Sequence, residues 1–123
     1  MTRLRRLLVL ALVLAATGGP RAVWSQTLPA GDAAAGKRIY LSVGCFLCHG
    51  RSGQGGAFNG PAPPLAQTEL PAEALLAYVR EPGGDMPPYV ESQLSNQDVA
   101  NIYAFLRSLP GRRPVREVPL LNQ

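Results

Sequence analysis

Hydrophobic positions along this chain recur with helical periods in three places, and no stretch alternates as a strand would. The first pattern covers 32–43. Gly36, Ile39, Tyr40 and Val43 stand three and four residues apart and share one face, with Asp32 in the N-cap position. A glycine inside a helix costs about 1 kcal/mol against alanine. Its usual justification is the close approach of another backbone, so Gly36 predicts such an approach. The second pattern covers 71–80. Pro71 suits a first helical position, Ala72, Leu75, Leu76 and Val79 form the apolar face, Glu73 and Arg80 lie outside it, and Glu81-Pro82-Gly83-Gly84 ends it. The third covers 96–109. Ser95 and Asp98 form a variant capping box, Val99, Ile102, Phe105, Leu106 and Leu109 make one stripe, and Pro110-Gly111 stops it. The expected class is all-α, with three main helices joined by long loops.

The segment before the helices reads differently. Arg3, Arg5 and Arg6 precede an apolar run from Leu7 to Ala16, too short to span a bilayer comfortably. Val23 and Ser25 are small enough for the −3 and −1 positions of a cleavage site. Residues 1–25 are therefore expected to be a signal peptide cut after Ser25. An uncleaved membrane anchor is the alternative, and the flanks of Arg5-Arg6 match twin-arginine export poorly. A linker at 26–30, a domain at 31–110 and an extended tail at 111–123 complete the expected organisation.

Cleavage changes the charge. The whole chain has twelve basic and eight acidic side chains, net +4. Arg3, Arg5, Arg6 and Arg21 leave with the signal, so eight of each sign remain. The basic balance belongs to targeting and gives no reason to expect nucleic acid as a partner. What is left is one small domain with abundant Pro and Gly (12 and 13 in the whole chain). Such a domain buries a modest fraction of its surface and needs an additional stabiliser.

Both cysteines and the only histidine of the chain lie in Val43-Gly44-Cys45-Phe46-Leu47-Cys48-His49-Gly50. Cys-x-x-Cys-His is the pattern of covalent c-type haem attachment. On one helical turn, positions i, i+3 and i+4 share a face. Two thiols can then add to the two vinyl groups along one porphyrin edge, with the imidazole left towards the iron. His49 would bind through Nε2, and its Nδ1–H needs an acceptor to fix the tautomer. A disulfide gives no reason for the adjacent histidine. A thioredoxin-like dithiol would follow a strand in a βαβ setting, and a structural zinc site would lack its fourth ligand. For the sixth position, Met86 is the only methionine besides Met1. A lone methionine is usually core filler. Here it lies in a loop, a whole helix beyond His49, and Pro87-Pro88 restrict its backbone. Lys37, the only lysine, is a poor rival, and an open sixth position is the remaining alternative. His–Met ligation raises the reduction potential relative to bis-His. A closed six-coordinate iron favours electron carriage over catalysis.

From these residues onwards the chain resembles class I cytochrome c of the small bacterial exported kind. The resemblance covers about 31–110 and runs in order through GDAAAGKRIY, CFLCHG, GPAPPL, LLAYVREPGGDMPPY and LSNQDVANIYAFLRSLP. It implies the class I cytochrome c fold wrapped round one covalent haem c, attached at Cys45 and Cys48 and ligated by His49 and Met86. It implies that Gly36 and Tyr40 meet Ile102 and Phe105 where the first and last helices cross. It implies a prolyl carbonyl as acceptor for the His49 N–H. Pro63 matches by its spacing to Leu65, but Ala62 stands where the family has glycine, so Pro61 stays a candidate. Leu65, Leu76 and Val79 would line the haem pocket, and Tyr89 would pack near it.

Other features are bland. Ser52-Gly53-Gln54-Gly55-Gly56 lacks the ending of a phosphate loop, and Glu69, Glu73 and Glu81 form no carboxylate pair. The expected function is a periplasmic single-haem carrier and not an enzyme. It would take single electrons from a dehydrogenase and pass them to an oxidase or another cytochrome, either free or as the haem subunit of a dehydrogenase complex. Membrane association is expected only if the signal stays uncleaved. The competing expectations are a haem protein binding gas or peroxide at an open or displaceable sixth site, and a thiol–disulfide module without haem.

Overall fold

The computed structural model describes residues 27–56, 62–111 and 114–121. The expected signal segment 1–25, its cleavage after Ser25, and Pro61 lie outside them. Among the described residues there are four α-helices and no strand: α1 (Ala33–Ser42), α2 (Phe46–His49), α3 (Ala72–Arg80) and α4 (Asn96–Ser108). Two single-turn 3-10 helices, Val115–Glu117 and Pro119–Leu121, lie in the stretch read as an extended tail. No helix among the described residues is long and apolar enough to cross a membrane.

The caps form as the side chains dictate. Asp32 accepts from the backbone of Ala35 at the start of α1. Ser95 and Asp98 make the reciprocal capping box of α4. Pro71 differs from expectation by one position. It sits at the N-cap of α3 with ψ 150°, outside the helix, rather than at its first residue. A proline there still sacrifices no helical hydrogen bond. The short α2 has no periodic apolar signal and was not expected as a separate element.

α1 and α4 cross face to face. A side chain at Gly36 would collide with the Asn101 carbonyl and come within 2.9 Å of Ile102 N. This explains the costly glycine. Gly31 is constrained in the same way by the Ala100 carbonyl. One turn beyond Gly36, Tyr40 packs on Phe105 with ring centroids 5.4 Å apart and planes tilted by 57°, a geometry that aromatic pairs favour. Polar bonds lock the rim of the crossing: Asp32 N–H donates to Asn101 Oδ1 at 2.8 Å, and Gln97 Nε2 donates to the Ala30 carbonyl at 2.9 Å. Leu75, Leu76 and Val79 of α3 join Val99, Ile102, Phe105 and Leu106 of α4 in the core, with Tyr40 and Leu94. Tyr40 and Leu106 are fully buried.

The end of α4 holds the loop that precedes α3. Gln67 adopts a left-handed backbone, φ 55°, unfavourable for a residue with a Cβ. Three hydrogen bonds compensate. Its N–H donates to the Leu106 carbonyl at 3.0 Å, and its side-chain amide donates to the carbonyls of Arg107 and Leu109. These are last-turn acceptors that the helix itself leaves unpaired. In return, Arg107 Nη1 donates to the Thr68 carbonyl at 2.8 Å, and Tyr103 Oη donates to the Leu70 carbonyl at 3.0 Å.

Helix propensity alone would make Gly36→Ala stabilising by about 1 kcal/mol. The crossing predicts the reverse, a net loss of about 2 kcal/mol or more from forcing two backbones apart. Denaturant unfolding of the purified protein checks this beside Ala34→Gly on the exposed face of α1, which should lose only about 1 kcal/mol. A neutral or stabilised Gly36→Ala variant would contradict the crossing.

Candidate functional site

Cys45, Cys48 and His49 lie on or next to the single turn of α2. Cys45 occupies its N-cap position, and Gly50 follows it with φ 78°. Gly44, with φ 85°, lets the chain turn from the end of α1 into this helix. The turn is anchored from below by α1, because Tyr40 Oη donates to the Gly50 carbonyl at 2.7 Å in a buried position. Burial is the main cause that pushes the Tyr40 hydroxyl well above the ordinary phenol range, and negative charge at Cys45 and Cys48 would add to it. The phenol is therefore a permanent donor at any working pH. On the outer side, the Arg51 guanidinium lies 5.0 Å from the centre of the Phe46 ring.

The loop after α2 folds back on itself through short backbone bonds. Gly55 N–H donates to the His49 carbonyl at 2.8 Å, and Gly56 N–H to the Ala62 carbonyl at 2.9 Å. The Gly53 carbonyl accepts from both Leu65 and Ala66. Gly53 and Gly55 have positive φ, and a side chain on either would come within 3 Å of the 62–66 backbone. These contacts bring Pro63 beside the α2 turn, and its carbonyl lies 2.9 Å from His49 Nδ1. A carbonyl only accepts, so Nδ1 carries the proton, and in the neutral imidazole Nε2 keeps its lone pair. An imidazole held in this way is prepared to bind a metal through Nε2. Of the two prolines named from the sequence, Pro63 makes this bond, and Pro61 lies outside the described residues.

The two thiols are free and half-buried. Burial is the largest cause that pushes the Cys45 thiol up to about 11. Its own backbone hydrogen bond opposes this, and the Cys48 charge adds to it. An attacking redox cysteine requires the opposite, a depressed pKa. Among the described residues no group of three or more His, Cys, Asp or Glu side chains converges as a metal cage. The donor set suits a prosthetic group that brings its own equatorial ligands: two thiols for covalent bonds and one oriented imidazole.

The remaining predicted residues fall on one apolar body. Leu76 and Val79 are buried members of the core, and Cys45, Leu65, Met86 and Tyr89 are partly buried against that same core. Tyr89 is the most strongly tethered of these. Its N–H donates to the Val79 carbonyl at 2.9 Å and its hydroxyl to the Val43 carbonyl at 3.2 Å. Burial also raises its phenol pKa, with the Cys45 and Cys48 charges contributing. Arg80, placed by periodicity outside the apolar face, is half-buried. It donates to the Tyr89 carbonyl at 2.7 Å and to Asn96 Oδ1 at 2.8 Å. Neither this bridge nor the Tyr40–Gly50 bond leaves a sequence signal, because each joins a side chain to acceptors in a distant segment.

The family model for cytochrome c oxidase, cbb3-type, subunit III matches residues 31–106. The match takes in α1, α2, α3, most of α4, the Cys-x-x-Cys-His turn and Met86. No curated protein and no solved structure matches the chain.

Tyr40→Phe tests the anchor beneath α2. It leaves the buried Gly50 carbonyl without its donor and should cost about 1–3 kcal/mol in denaturant unfolding. A variant as stable as the parent would show that this bond does not hold the turn.

Proposed function

The chain belongs to the cytochrome c family described as cytochrome c oxidase, cbb3-type, subunit III, and on that premise we propose that it is an exported, single-haem electron carrier of the periplasm. Cys45 and Cys48 would hold haem c through thioethers, and His49 and Met86 would ligate its iron. The observation that carries this reading is the His49 Nδ1 bond to the Pro63 carbonyl within a Cys-x-x-Cys-His turn. That bond gives the imidazole one tautomer and one direction, as an axial ligand needs.

Haem c supplies a one-electron couple when bound. The chain's own residues do the rest. His49 presents Nε2, with Nδ1 directed at the Pro63 carbonyl. Met86 supplies a soft thioether that favours ferrous iron. Leu65, Leu76 and Val79 would keep water from the haem, and Tyr89 packs against the same core. With His49 and Met86 both serving as ligands, the chain would leave no place for a substrate at the iron, which would separate a carrier from a catalyst.

Electrons would come from a periplasmic dehydrogenase and leave to an oxidase or another cytochrome. The name of the matched family refers to an oxidase subunit, and this favours an oxidase as acceptor. Electron-transfer encounters use small, transient interfaces, and an evenly balanced mature charge leaves apolar contact as the main attraction.

A pyridine haemochrome assay on the exported protein should give the spectrum of a haem joined by two thioethers. Its absence would return Cys45 and Cys48 to a thiol–disulfide role. Met86→Ala should abolish the far-red ferric band, lower the potential and open the ferrous protein to carbon monoxide. Rapid carbon monoxide binding by the unaltered protein at neutral pH would instead favour a gas- or peroxide-binding haem protein.

A further inference from the structure

Met86 sits in a segment with little holding it. From Pro82 to Pro88 no hydrogen bond links this stretch to another described residue. Pro87 and Pro88 cannot contribute one through nitrogen, because proline has no N–H. The first backbone donor after Met86 is therefore that of Tyr89, three residues on. The Tyr89 N–H meets the Val79 carbonyl at 2.9 Å. The Tyr89 carbonyl accepts from Arg80 Nη1 at 2.7 Å, and Arg80 Nη2 reaches Asn96 Oδ1 at 2.8 Å. The Tyr89 hydroxyl donates to Val43, the residue that ends α1 two positions before Cys45. One residue thus links α3, the start of α4 through Arg80, and the entry to the cysteine turn.

We infer that Arg80 and Tyr89 are positioning residues for Met86, a clamp that fixes the far end of its segment against the turn carrying His49. The inference rests on Met86 as axial ligand. The near end is fixed covalently to α3 at Glu81, so clamping Tyr89 leaves a short arc whose reach is set by two stiff prolines. Arg80 suits this task because its planar fork serves two acceptors at once. Lysine offers a point charge that holds one firmly. The bonds are part-buried, where a charge-assisted bond is stronger and its loss harder for water to replace. Without the clamp, the arc would sample geometries in which the thioether is off the iron, and an external ligand would compete in proportion to that open fraction.

The test uses the mature holoprotein and imidazole as the competing ligand of the ferric state, with the far-red ferric band and thermal stability measured in parallel. Arg80→Met should tighten apparent imidazole binding roughly tenfold or more, Arg80→Lys should recover part of that change, and Tyr89→Phe should give a smaller increase. Asp32→Ala, which removes the side-chain N-cap at the far end of α1, is the reference for general destabilisation and should lower stability without altering imidazole affinity. Imidazole affinity unchanged in both Arg80→Met and Tyr89→Phe, or shifted equally by Asp32→Ala, overturns the clamp. Should Arg80→Met fail to accumulate as holoprotein, Tyr89→Phe decides alone by the same criterion. Met86→Ala separates the premise from the inference. If it leaves the band and the imidazole affinity unchanged, the ligand assignment falls and the clamp with it. If it alters both while the clamp variants do not, only the clamp falls.

Discussion

The hydrogen bond between His49 Nδ1 and the Pro63 carbonyl is the constraint on which the rest of this structure converges. A single bond of that kind fixes a ring only if both partners are already held. α1 holds one side through Tyr40 and the Gly50 carbonyl. α4 holds the other through Gln67, Arg107 and Tyr103, which strap residues 67–70 to its last turns. Between them, the positive-φ glycines 53 and 55 let two loop segments approach backbone to backbone. The crossing of α1 and α4 at Gly36 is thus more than packing. It sets the distance between the two supports of the histidine.

A division of labour follows. Regular structure is a minority of the described chain, and its core is compact: one tyrosine and one phenylalanine with aliphatic residues from α3, α4 and Leu94. The loops carry the chemistry and are fixed by backbone bonds round Gly53 and Gly55 together with side chain-to-backbone bonds from Tyr40, Gln67, Arg80 and Tyr89. Cys45, Leu65, Met86 and Tyr89 reach the core from the loop side without being fully buried. A covalently held macrocycle would bring these residues the apolar surface that a loop-rich chain of this size cannot make from its own side chains.

The sequence made the helices legible because apolar spacing and capping residues are local signals. Asp32, Ser95 and Asp98 stand where the caps form, and Gly36 announced a backbone contact by its cost alone. The cysteine turn was legible as chemistry, though not as a separate helix, since four residues cannot show a period. The choice between Pro61 and Pro63 was open in the sequence because Ala62 interrupts the family's pattern. In the structure the Pro63 carbonyl lies 2.9 Å from His49 Nδ1, and Pro61 lies outside the described residues. Gln67, Arg80 and the Tyr40 hydroxyl were invisible for a common reason: each acts on a carbonyl, and every residue offers one. Arg80 in particular reads as an outward charge by periodicity, and only the path of the 82–89 loop turns it inward.

Selective observation of the Met86 methyl group by NMR tests the account most directly. Met86 is the only methionine apart from Met1, so methyl-labelled methionine gives an unambiguous signal in the ferrous holoprotein. Axial ligation of a haem by Met86 predicts a single methyl resonance displaced far upfield by the ring current of the macrocycle, present throughout the neutral pH range. A Met86 methyl resonance at the ordinary position for methionine would contradict it.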